Sequence, residues 1–156
     1  MINCQFENSS QASLRHVTVD VLVIKDGQIL LGKRSKKILE AGKWGLLGGF
    51  VDRDETLQEA VKREVMEESG YQVQNIKLLT IRDNPERPHE DRQNISFVFL
   101  SEATDKITNH DWEIEDLQWF AFDEIPEKEK IAFDHSENID LYLRVLDEKL
   151  DLPVIN

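Results

Sequence analysis

Glu64, Glu67 and Glu68 fall within little more than one turn of a helix-forming stretch, directly after Arg63, in the run KREVMEES. On a wheel advancing roughly 100° per residue, Leu57, Val61 and Val65 form an apolar stripe. Glu68 lies within that stripe and Glu64 at its edge, so both are expected to project toward whatever the helix packs on. Like charges at i,i+4 repel, and burying an unpaired carboxylate costs several kcal/mol. Two partners could relieve the conflict. Arg63, on the flank, can pair with one glutamate and hold it. Alternatively, a divalent cation can bridge the carboxylates, and hard oxygen ligands completed by water and phosphate suit Mg²⁺. A solvated acidic face with incidental salt bridges is the competing reading.

The elements that must carry these residues follow from local pattern. Residues 16–24, HVTVDVLVI, read as a well-covered strand. Asp26-Gly27 then signals a hairpin, and QILLGKR returns as the second strand. Residues 35–48 lack a sustained period and are expected to form loop with short extended pieces. A helix is expected from about Thr56 to Ser69, stopped by Gly70. YQVQNIKLLTIRDN and NISFVFLSEA read as two more strands around a polar prolyl loop, and LQWFAF as a shorter one. Ile139, Tyr142, Leu143, Leu146 and Leu150 stand at helical spacing in a second amphipathic helix. Two helices interrupting a strand-rich chain give an α/β sandwich. No repeat or flexible linker divides it, so one domain is expected over 1–156, with its core at about 16–150.

Composition limits the partners. The 156 residues carry a net charge of −12, which disfavours a nucleic-acid backbone or an anionic membrane. Small anionic substrates remain admissible, because a bound divalent cation reverses the local field. The single cysteine, Cys4, excludes an internal disulfide and a cysteine-based zinc site. No apolar run is long enough to span a bilayer, and a cytoplasmic location is expected. The four histidines, His16, His89, His110 and His135, are scattered without ligand spacing, and Asp134 or Ser136 is expected to cap the last helix.

The stretch from Gly49 to Tyr71 resembles the Nudix box, G-x5-E-x7-R-E-U-x-E-E-x-G-U, where U is a bulky aliphatic residue. Gly49, Glu55, Arg63, Glu64, Val65, Glu67, Glu68 and Gly70 match in register. Tyr71 departs from the aliphatic type at a packing position. Leu47 stands where many relatives carry proline before the paired glycines. The resemblance implies the Nudix-type α/β/α sandwich, with a mixed sheet and the box as loop-helix-loop. It also implies hydrolysis of a nucleoside diphosphate linked to another moiety, with Mg²⁺ or Mn²⁺. Carried onto this chain, Glu64, Glu67 and Glu68 become metal ligands, together with the backbone carbonyl of Gly48. Arg63 would orient the glutamates and Glu55 would brace the loop. The general base does not transfer; Glu64 is one candidate, and Glu113 and Glu115 are others, Glu115 being the one taken of that pair, with a merely acidic loop in an acidic protein as the competing reading.

Several cations and aromatics could meet the substrate. Arg34, ending the second strand, resembles a position that approaches phosphate in the family, although a solvated strand end explains it equally. Arg82, Arg87 and Arg92 share one prolyl loop, where guanidinium groups could guide an anion or pair with neighbouring acids. Arg82 and Arg92 are taken as substrate contacts. Trp44 could stack on a base or pack in the core, and Phe50 reads as core. This loop and the AFDH at 132–135 loosely resemble the ADP-ribose pyrophosphatase branch. ADP-ribose or a nucleotide sugar is therefore the expected substrate type. A house-cleaning nucleoside-triphosphate pyrophosphatase and a non-catalytic nucleotide sensor are the alternatives. Members of that branch often pair, which admits a homodimer.

Overall fold

A computed structural model describes residues 2–87 and 93–155. Its main sheet begins with β3 (Val17–Lys25) and β4 (Gln28–Arg34), a hairpin turned by Asp26 and Gly27, both at positive φ. Before it, β1 (Ile2–Gln5) and β2 (Gln11–Leu14) form a separate antiparallel pair that the sequence reading did not anticipate. Short extended pieces follow β4, as β5 (Trp44–Gly45) and β6 (Leu47–Phe50). Helix α1 (Leu57–Ser69) leads into β7 (Tyr71–Arg82), β8 (Ile95–Lys106) and β9 (Ile114–Ala121). Helix α2 (His135–Glu148) comes last.

The sheet is mixed. Its order is β5-β4-β3-β8-β7, with β6 added to β3 and β9 to β4. The β3–β8 pair is parallel, whereas the other pairings are antiparallel. Alternation along β3 explains the layers, because successive side chains leave on opposite faces. Val19, Val21 and Val23 pack with Ala60, Val61 and Val65 of α1. Leu22 instead joins Ile139, Leu141 and Val145 of α2. Both faces are thus covered by a helix, giving the expected α/β/α sandwich.

Helix α1 is tightly delimited. Thr56 and Glu59 form a capping box, with the Thr56 amide donating to Glu59 Oε2 at 2.7 Å. Its far end stops at Gly70, whose left-handed backbone donates to the Met66 carbonyl at 2.8 Å. These caps fix the rotation of the helix about its axis, and hence where its glutamates point.

Candidate active site

Glu68 is only 5% exposed although it is an acid, because it occupies the sheet-facing stripe of α1. Its Oε2 accepts from the Gly48 amide at 2.7 Å, which ties the helix to β6. Burial pushes its carboxyl well above the ordinary carboxylate range, and the neighbouring charge of Glu64 adds to the shift. Burial also raises Glu64, against the opposing influence of Arg63.

Arg63 organises the flank. Its Nη1 donates to Glu64 Oε1 at 2.7 Å and to Glu67 Oε2 at 3.4 Å. Its Nε and Nη2 donate to the Glu55 carboxylate at 3.1 and 2.6 Å, a two-pronged contact. Nη2 also reaches the Phe50 carbonyl at 2.9 Å, and Glu55 in turn accepts from the Asp52 amide at 2.7 Å. One guanidinium therefore binds the loop before the helix to Glu64 and Glu67.

These groups line a cleft of about 370 Å³ between α1, β6 and the start of α2. The opposite wall is a buried polar network that sequence reasoning missed. Asp20, paired in register with Gly48, faces Nε2 of His135 at 3.5 Å and Nη2 of Arg87 at 3.2 Å, and accepts from Ser96. Arg87 also donates through Nε to Asp134 Oδ1 at 2.8 Å. His135 Nδ1 accepts from the Leu46 amide at 2.9 Å, which leaves the ring proton on Nε2, toward Asp20. Burial alone would raise the Asp20 carboxyl, but His135, Arg87 and Ser96 together hold it well below the usual range.

This wall makes a pH prediction. Asp20 has a folded pKa below its unfolded one, so its contribution to stability is present above about pH 4 and is lost as pH falls below that value. Asp20→Asn removes a buried partner of Arg87 and is expected to cost about 3–5 kcal/mol at pH 7. Chemical unfolding from pH 2.5 to 7 checks it. The difference between wild type and variant should shrink as pH falls, and a constant difference would refute the assignment.

The expected site residues separate on inspection. Gly48, Arg63, Glu64, Glu67, Glu68 and Arg34 all line the cleft. Arg34 Nε donates to the Leu39 carbonyl at 2.7 Å, and its guanidinium lies 5.0 Å from the centre of the Phe133 ring. Glu115 is a correction. A bulge pairs Arg34 with Ile114 and Lys33 with Asp116, leaving Glu115 as the extra, exposed residue, while Glu113 lines the cleft. Trp44 is a second correction: its ring meets Phe120 edge-on at 5.1 Å and packs against the α2-side core. Arg82 is a third, since its Nε is spent on Asn138 Oδ1 at 2.7 Å and it does not line the cleft. Asp134 holds the position preceding α2 without a side-chain cap, its carboxylate being taken by Arg87. Phe50 is 40% exposed at the cleft, not core. Arg92 lies outside the described residues.

The donor set fits a hard divalent cation. Three carboxylates rise from adjacent turns of one helix, and burial raises two of them, Glu64 and Glu68, a cost that an adjacent cation would relieve. Among the described residues no three acid or imidazole groups already form a closed cage. An ion that keeps several waters and takes substrate oxygens needs none.

Comparison with known proteins identifies the family. A family model of the NUDIX domain matches residues 14–142. The ADP-ribose pyrophosphatase of Methanocaldococcus jannaschii is 34% identical over 82% of this chain and 73% of its own length. The oxidized purine nucleoside triphosphate hydrolase of Danio rerio is 32% identical over 68% of this chain and 66% of its own. Among solved structures, a UDP-X diphosphatase superposes with a TM-score of 0.78 at 24% identity, over 96% of this chain and 71% of that one, a likeness of fold. The chain belongs to the Nudix hydrolase family, whose members cleave pyrophosphate linkages and generally use divalent metal ions.

Proposed function

We propose that this protein is an Mg²⁺-dependent pyrophosphohydrolase that cleaves the diphosphate linkage of an ADP-ribose-like nucleoside diphosphate derivative. The observation that carries the reading is the burial of Glu68 beside Glu64 at a cleft, an arrangement that a merely structural helix would avoid. Glu64, Glu67, Glu68 and the Gly48 carbonyl would hold the metal, and Arg63, braced by Glu55, orients Glu64 and Glu67. The bound ion would offset phosphate charge and lower the pKa of a coordinated water.

The chain's own residues do the rest. Arg34 supports the cleft's anionic occupant from the end of β4. Glu113, an acid from outside α1 that lines the cleft near Arg34, accepts the water proton. The water oxygen bonds to one phosphorus while the bridging P–O bond breaks, so ADP-ribose yields AMP and ribose 5-phosphate. We take residues 1–156 as one catalytic domain with its core at about 16–150. We take the enzyme to be cytoplasmic and able to form a homodimer; among the described residues, no helix is long and apolar enough to cross a membrane.

The substrate choice leans on the likeness to the archaeal pyrophosphatase, and the Danio rerio relative favours a second reading in which triphosphates are cleaved. Product release with Mg²⁺ across ADP-ribose, nucleotide sugars and nucleoside triphosphates separates them. The highest kcat/KM is expected for ADP-ribose. Faster cleavage of triphosphates would install the second reading, and binding without turnover on every member would indicate a sensor.

A further inference from the structure

A groove of about 560 Å³ continues outward from the cleft, beneath the connection between β4 and β5. Its basic side is Arg34, Lys36 and Lys37, set against the acid Glu113, and its apolar side includes Leu39, Phe50 and Phe133. Arg34, Phe50 and Phe133 border the cleft as well, so the two spaces share a boundary and one ligand can occupy both. In a chain of net charge −12, three cations within four residues reverse the local sign.

The two lysines are not held by the protein. Lys36 and Lys37 are exposed, and among the described residues neither forms an ion pair, whereas nearby Lys43 is paired with Glu40. Lys37 Nζ lies only loosely over the Trp112 ring, at 5.9 Å. Leu39 and Phe50 add apolar surface, being 47% and 40% exposed. Phe133 stands on the boundary with a left-handed backbone, φ 50°, unusual for an aromatic residue. Its ring lies 5.0 Å from the Arg34 guanidinium and 5.4 Å from that of Arg87. The strained residue thus sets its ring against two guanidiniums and fixes them where the cleft opens into the groove.

We propose that this groove is a second anion subsite, which takes a nucleoside whose ribose carries an additional phosphate. The flat base lies against Phe50, beside the Arg34–Phe133 stack, while Lys36 and Lys37 meet the extra phosphate beyond the scissile diphosphate. The proposal rests on the pyrophosphohydrolase reading and narrows its substrate to 2′- or 3′-phosphorylated ADP derivatives.

Calorimetric titration with AMP, adenosine 2′,5′-bisphosphate and adenosine 3′,5′-bisphosphate, in Mg²⁺, tests it on the wild type and on the Lys36→Ala/Lys37→Ala double variant. One bisphosphate is expected to bind wild type about tenfold more tightly than AMP, and the isomer that gains identifies the ribose position. The advantage should fall below about twofold in the variant and weaken with salt, with AMP affinity unchanged. Equal affinity for all three nucleotides, or an advantage that survives in the variant, overturns the proposal. ADP-ribose turnover measured on the same samples reports separately on the parent reading. A protein that cleaves neither ADP-ribose nor its phosphorylated derivatives but shows the lysine-dependent gain loses the parent reading and the substrate claim that rests on it, and keeps the anion subsite.

Discussion

Glu68→Gln is expected to lower the rate of Mg²⁺-dependent diphosphate cleavage by about 10²–10³-fold, without loss of the fold. The reason lies in what the side chain does at each end of its hydrogen bond. Glutamine can still accept from the Gly48 amide, so the tie between α1 and β6 survives. What disappears is a negative charge that is 5% exposed and repelled by Glu64. Without bound metal the variant should therefore melt at the same temperature as wild type or higher, because a buried charge short of compensation has been removed. Turnover within twofold of wild type would remove Glu68 from the site. A large fall in melting temperature would mean that its charge serves the fold instead.

Gly48→Ala is expected to cause the largest loss of stability of any single methyl addition in the site. Gly48 has φ +148°, and a Cβ there would collide with the Val19 carbonyl oxygen of the neighbouring strand and lie 3.0 Å from the Asp20 Cα. Neither contact is with a flexible side chain, so backbone must move. Strain and overpacking together should cost about 3–5 kcal/mol, or a fall in melting temperature of about 6–20 °C. Activity should fall with it, since the same movement displaces the amide that holds Glu68. Gly27→Ala provides the control: its φ is +76°, but nothing lies within 4 Å of the added methyl. It should pay the backbone strain alone, about 1–2 kcal/mol, and leave turnover unchanged. Comparable melting temperatures for the two variants would show that the packing of β6 on β3 is not what positions the site.

The acidic half of the cleft was legible because it is local. Glu64 and Glu68 are one turn apart, the apolar stripe of Leu57, Val61 and Val65 sets the helix rotation, and Arg63 is adjacent in sequence. The other half is assembled from β3, the segment after β7, β8 and the start of α2, so its members have no mutual spacing to detect. One signal was nonetheless present: Asp20 interrupts the apolar run VTVDVLVI, and a buried strand tolerates such an acid only with partners. Arg87, His135 and Ser96 are those partners. Asp134 looked like a helix cap because of its position, but a buried guanidinium competes for its carboxylate and wins.

Glu115 illustrates a different limit. Strand alternation decides which acid of an alternating pair turns inward, and a bulge at Lys33–Arg34 alters that alternation where β9 begins. The acidic run around residue 113 could be located from sequence, but not which of its members reaches the cleft. Trp44 and Arg82 failed for a simpler reason, since an aromatic ring and a guanidinium serve packing and helix anchoring as readily as substrate contact. Phe120 and Asn138, their partners, lie 76 and 56 residues further along the chain.

The central claim is that Glu64, Glu67 and Glu68 hold a divalent ion at the cleft. Anomalous scattering from crystals of the wild-type protein soaked with Mn²⁺ and AMP tests it most directly. A manganese peak within about 2.0–2.5 Å of carboxylate oxygens from at least two of these glutamates, absent from Glu68→Gln crystals, is the result the account predicts. Manganese bound instead at the Asp20–Asp134 wall, or found equally in the Glu68→Gln crystals, would contradict it.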